Sequence, residues 1–148
     1  MSCQPRRLWA FVVALGLLAT GPPLSGADAV FRIVVHPGLR GTQIPRAALS
    51  AIFLKQARQW GDGTAALPVD QSLRSPVRLA FCREVLQQEA EAVNVYWQRR
   101  IASNVMPPMV KSSDEEVISF VASTVGAIGY VSAGTPLPDG VKVLAIVN

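Results

Sequence analysis

The sequence predicts one small α/β domain, a mixed sheet with helices packed on it. Two observations carry this. Short β-branched runs alternate with stretches whose apolar residues recur at three- and four-residue spacing, which is the mark of an α/β layer rather than of a bundle or a sandwich. The length of 148 residues fits one domain, and a composition of 50% hydrophobic, 16% charged and 7% aromatic residues is ordinary for a globular chain. That composition excludes a disordered chain, a collagen-like repeat and a cysteine-stapled miniprotein.

Residues 1–29 read as an export signal. Arg6 and Arg7 form a basic start, Leu8 to Ala19 (LWAFVVALGLLA) is an apolar run, and Ala27-Asp28-Ala29 places small residues at the cleavage position. An uncleaved anchor is the competing reading, but a helix needs about 20 residues to cross the hydrocarbon core. Gly21-Pro22-Pro23 also stops any helical extension. Cleavage leaves residues 30–148 as the mature domain, periplasmic or secreted, with no stable membrane span. Cys3 is lost with the signal, so Cys82 stands alone and no disulfide forms within the chain.

Within the domain, Phe31 to His36 (FRIVVH) is a strand running into the Pro37-Gly38 turn. Pro45 opens a helix carrying Ile44, Ala48, Ile52 and Phe53 on one face. Gly61-Asp62-Gly63 is a turn, and Ala66 to Asp70 (ALPVD) is a short buried strand. Ser75-Pro76 caps a helix with Val77, Ala80, Phe81 and Val85 along its inner face. Another helix carries Val93, Tyr96, Trp97 and Ile101 and is broken by Pro107-Pro108. Ser113-Asp114-Glu115-Glu116 is a capping box in which Glu116 returns to the cap amide, followed by Val117, Val121 and Val125 on one face. Gly126 to Val131 (GAIGYV) is a glycine-framed strand. Val141 to Val147 (VKVLAIV) alternates too little for a half-exposed strand and reads as central.

Three of these pieces stand in a telling order: Ala51-Ile52-Phe53-Leu54 with Trp60-Gly61-Asp62-Gly63, then Pro68-Val69-Asp70 through Ser75 to Phe81, then Gly126 to Val131. The arrangement resembles the phosphate-binding-protein-like branch of the periplasmic solute-binding proteins that serve ABC transporters. The resemblance runs over roughly Ile33 to Val131. It implies one lobe of the type 2 periplasmic-binding-protein fold, because members of that family have two lobes and the mature chain has room for about one, similar to the second. It also implies binding of phosphate or a related oxyanion and a link to ABC-type transport. In the family an Arg precedes a Ser-Gly-Thr loop. Counting back from Phe81 puts Ser75-Pro76-Val77 at that triplet and Gln71 near the Arg, so only Ser75 carries over.

Read on their own, Ser72, Arg74, Ser75 and Arg78 place two hydroxyls and two guanidiniums at the start of a helix, where unpaired amides and the dipole favour an anion. The alternative is an ordinary N-cap at Ser75 and two solvated arginines. Asp70, ending the strand before this loop, is placed either to accept a proton from a hydrogen-bearing oxyanion or to cap the turn. Asp70, Ser72, Arg74 and Ser75 are the expected ligand residues. His36 reads as a turn residue, Cys82 as a buried small hydrophobe, and Trp60, Tyr96 and Trp97 as core.

No catalytic residue, cofactor or metal is expected. The single histidine leaves no multi-histidine metal site, and G-x-S-x-G, P-loop, HExxH and CxxC patterns are absent. The formal charge of +4 is scattered and does not call for nucleic acid. A non-catalytic periplasmic interaction module, which keeps the lobe fold, has lost the ligand and binds a transporter component or a second copy, is the competing function.

Overall fold

The computed structural model describes residues 29–148. The export-signal reading covers residues 1–29, and all of it but Ala29 lies outside the described residues. The chain runs β1 (Phe31–Val35), β2 (Gln43–Pro45), α1 (Arg46–Phe53), β3 (Leu67–Gln71), α2 (Pro76–Phe81), α3 (Ala90–Ala102), β4 (Met109–Lys111), α4 (Asp114–Ser123), β5 (Ala127–Ser132) and β6 (Lys142–Val147). The strands make one mixed sheet in the order β2-β6-β1-β5-β3-β4. β1 is antiparallel to β5 and β6, while β3 is parallel to β5 and β4.

Alternation along each strand divides the core between two faces. Phe31, Ile33, Val35, Ile128, Tyr130 and Leu144 join the buried residues of α1, α2 and α3. Val34, Val69, Ala127 and Val131 join Val117, Ile118 and Val121 of α4 on the other side. The result is a three-layer sandwich with three helices on one face and one on the other. Gly129 is what lets α4 lie close: a Cβ there would stand 2.6 Å from Val117 Cγ1 and 2.8 Å from Val69 Cγ1.

Several expectations need correcting. β2 and β4, each three residues long, were not expected; they are edge strands held by pairing with β6 and β3 rather than by any pattern of their own. Leu49, not Ala48, faces the core from α1, and Ile44 belongs to β2. The helix after Ser75 is α-helical only to Phe81; Cys82–Leu86 is a π-helical segment that ends on Gln87 in the left-handed region. Ile101 and Val125 are exposed. Glu116 accepts from the Ser112 amide at 2.8 Å rather than from the cap residue's own amide, while Ser113 Oγ accepts from Glu116 as expected.

β6 is bonded on both sides, yet Leu144 is its one buried residue. α4 packs on β5, β1, β3 and β4, so Val143 and Ala145, on the same face of the sheet as Val34, stay open because α4 does not cover β6. Hydrogen-bonding position and burial are separate properties: the low alternation of VKVLAIV agrees with the interior place of β6 between β2 and β1, but not with its burial.

Candidate functional site

The chemistry-bearing residues gather where β3 and β5 end. Successive residues of a strand point to opposite faces, so Asp70 turns toward α2 and Gln71 toward α4. Asp70 is buried and meets Arg78, one turn into α2, with Arg78 Nη2 3.3 Å from Asp70 Oδ2. The Tyr130 hydroxyl donates to Asp70 Oδ1, and the Gln71 amide reaches the same oxygen at 2.8 Å. Arg78 Nη1 donates to the Gln71 carbonyl at 3.2 Å. Burial pushes the Asp70 carboxyl above its ordinary range, against the opposing pull of Arg78, Tyr130 and the Gln71 amide. Burial and the neighbouring Asp70 likewise push the Tyr130 phenol upward. The Tyr130 ring lies stacked on Phe81, with centroids 4.1 Å apart and planes 6° from parallel. Arg78 is therefore not a solvated charge, and its guanidinium is already engaged by a carboxylate.

The α4 side carries a second network. Gln71 Nε2 donates to Asp114 Oδ1 at 2.7 Å and to the Tyr130 carbonyl at 2.9 Å. Ser75 Oγ donates to Gln71 Oε1 at 2.8 Å and so fixes which way the amide points. The Ser132 amide and Thr135 Oγ1 both donate to Asp114 Oδ2, at 3.0 Å and 2.5 Å. Partial burial pushes the Asp114 carboxyl up, but the bonds from Thr135, Ser132 and Gln71 outweigh it and hold the group below the ordinary carboxylate range. Arg32, on the same face of β1 as Val34, donates to the Thr135 carbonyl.

Of the four expected ligand residues, Asp70 and Ser75 enter these networks through Gln71. Ser75 is also the N-cap of α2, its Oγ accepting from the Arg78 amide, with Pro76 at the first helical position. Ser72 and Arg74 sit on the intervening loop. The Ser72 carbonyl accepts from the Ser75 amide at 2.9 Å, and Ser72 Oγ accepts from the Arg74 amide at 3.5 Å. Arg74 is exposed and makes no ion pair among the described residues. The four do not share a cavity: Asp70, with Leu73, Arg78, Trp97 and Ile101, lines an open depression of about 350 Å³ between α2, α3 and β4, and the other three lie outside it.

Sequence reasoning did not single out Tyr130, Thr135 or Arg32, named Gln71 only as the position near the family's Arg, and took Asp114 only as part of a helix cap. The alternation of β3 carried the available signal: a polar pair ending an apolar strand must send one side chain to each face. His36 Nδ1 accepts from the Gly38 amide at 3.1 Å, a turn contact. Cys82 and Trp97 are buried; Trp60 and Tyr96 pack half-buried against the core. Among the described residues no group of three or more His, Cys, Asp or Glu could hold a metal ion, and no helix is long and apolar enough to cross a membrane.

No protein-family model matches the chain, and no curated protein does. Solved structures do. An ABC-type phosphate transport receptor from Vibrio cholerae superposes with a TM-score of 0.63 at 19% identity, over 78% of this chain and 45% of the receptor. PstS from Borrelia burgdorferi gives 0.62 at 17% identity, over 79% of this chain and 47% of that one. The chain thus spans about half the length of the receptors it matches. Over that half it shares the fold of the substrate-binding proteins of phosphate ABC transporters, as the order of its sequence pieces implied.

Proposed function

We propose that the protein is an exported, periplasmic, non-enzymatic binding protein of the substrate-binding type, which takes phosphate or a related oxyanion in connection with ABC-type transport. The observation that carries this reading is the convergence of Gln71 Nε2, the Ser132 amide and Thr135 Oγ1 on a single carboxylate at the ends of β3 and β5. Three donors from two separate segments, the end of β3 and the β5 end with its turn, aimed at one point are what recognition of an oxyanion needs. Ser72 and Arg74 would meet the ligand from the loop, whose exposed guanidinium is free to fork onto two oxygens. Ser75 and Asp70 act by positioning: Ser75 orients the Gln71 amide, and Asp70 holds Arg78 against the Gln71 carbonyl. The phosphate receptors with the same fold are transport proteins rather than enzymes, which supports a binding role.

Calorimetric titration of the protein with phosphate and sulfate tests the proposal. Asp114 is only partly buried and Arg74 is exposed, so a bound ion stays partly in solvent and affinity in the millimolar range, about −4 kcal/mol, is expected. No heat at that concentration overturns capture of the free ion.

A second reading, a protein-interaction module, rests on a different observation. Leu73, Ile101, Met106, Met109 and Val110 are 52%, 46%, 61%, 55% and 55% exposed along the β4 edge, where the sheet has no further strand among the described residues. Among the described residues no exposed tryptophan or tyrosine marks a binding hot spot there, since Trp97 is buried. Arg74→Ala separates the readings: it weakens oxyanion binding under the first and leaves association at the β4 edge unchanged under the second.

A further inference from the structure

We infer that the Asp114 carboxylate is a tethered anion already seated in the oxyanion site, and that a free oxyanion binds by displacing it. This deepens the phosphate-binding reading and rests on it.

The donors that hold Asp114 do not belong to its own helix. Gln71 comes from the end of β3, the Ser132 amide from the end of β5, and Thr135 from the turn beyond. None of them is needed to cap α4, whose N-cap is Ser113 and whose first turn keeps Glu115 and Glu116. The surroundings are more cationic than one carboxylate requires. Arg32 and Lys111 stand on the same face of the sheet: Arg32 donates to the Thr135 carbonyl, and Lys111, in register with Gln71, has its ammonium 5.4 Å above the Phe120 ring of α4. Arg32 Nε is buried and has no acceptor among the described residues. A carboxylate has two oxygens, and here Gln71 takes one while Ser132 and Thr135 share the other. A tetrahedral oxyanion brings four oxygens and, as phosphate, more charge, enough for the same three donors and for the neighbouring positive charge. Asp114 is only half-buried, so this end of the sheet is open to solvent and the carboxylate has somewhere to go.

A tethered competitor acts at an effective concentration in the millimolar range or above and weakens an entering ion accordingly, so its removal should tighten binding on the order of tenfold or more. The test is calorimetric titration of inorganic phosphate, with sulfate in parallel, into the full protein and its Asp114→Ala and Asp114→Asn variants. Circular dichroism checks that each variant is folded; Asn keeps the size and the acceptor for Gln71 if Ala does not fold. Phosphate binding at least about tenfold tighter in the variants than in the natural protein supports the inference, whereas binding that appears only in the variants overturns capture of the free ion by the natural protein and the inference with it. Adding Thr135→Val to Asp114→Ala should then abolish the gain, because it removes a donor without touching α4. If the natural protein binds phosphate and the Asp114 variants bind it no better, the tethered-anion inference falls while the phosphate-binding reading stands. If none of the proteins binds, both fall.

Discussion

The Arg78→Met variant isolates the cost of the buried pair under the β3–α2 loop. Methionine keeps most of the stem's packing and removes the guanidinium, leaving Asp70 buried without its cation. Removing one member of a buried pair costs about 3–5 kcal/mol, a large part of the 5–15 kcal/mol typical of a whole domain. The loss of the Arg78 bond to the Gln71 carbonyl adds about 1 kcal/mol.

The cost should depend on pH with a definite sign. Burial already raises the Asp70 carboxyl, and removing Arg78 takes away a lowering influence, so the folded variant holds its proton more tightly still. A group raised in the folded state contributes full stability below its unfolded pKa and loses it as pH rises through the folded pKa. Each pH unit across that window is worth at most about 1.4 kcal/mol, so a deficit near 3 kcal/mol takes about two units above the ordinary carboxylate range to develop. Urea unfolding followed by circular dichroism should show the variant close to the natural protein near pH 4 and far below it at pH 7. Adding Asp70→Asn should recover part of the neutral-pH loss. A deficit under about 1 kcal/mol at pH 7, or one that does not change with pH, would refute the assignment of this pair as a buried charge balance.

Gly129→Ala should destabilise by about 1–3 kcal/mol in thermal melts because α4 must move off the sheet, whereas Gly134→Ala, with nothing within 4 Å of the added carbon, should be near neutral. Asp114 has the opposite linkage to Asp70: its carboxyl is lowered in the folded state, so its stabilisation is present above the unfolded pKa and lost as pH falls, and Asp114→Asn should flatten the acid limb of the stability profile. Cys82 is 1% exposed and its thiol is pushed up chiefly by burial, so a thiol reagent should label it only after denaturant is added; fast labelling of the folded protein would contradict its burial.

Much of the fold was legible because the signals were local. Ser75-Pro76 and Ser113 announce helix starts through chemistry confined to one turn, and the periodicity of Val77, Ala80, Phe81 and Val85 identifies the inner face of the helix that follows, with all four buried. The Gly126 to Val131 strand was legible for the same reason, its glycines set in a run of apolar residues that lies buried throughout. β2 and β4 carried no such signal: three residues cannot show a period, and both exist because a neighbouring strand offers them an edge.

The site divides along the same line. The residue types at the loop, Asp70 at the end of the expected strand and the order of pieces that marks the fold were properties of the sequence alone; that β3 runs on to Gln71 was not. That Asp70 is consumed by Arg78 eight residues on, and that Gln71 meets Asp114 forty-three residues away, was decided only when β3, β5 and α4 packed together. The physical reason is that propensity and capping act over a turn or a strand, while burial and charge balance depend on what the rest of the chain brings alongside.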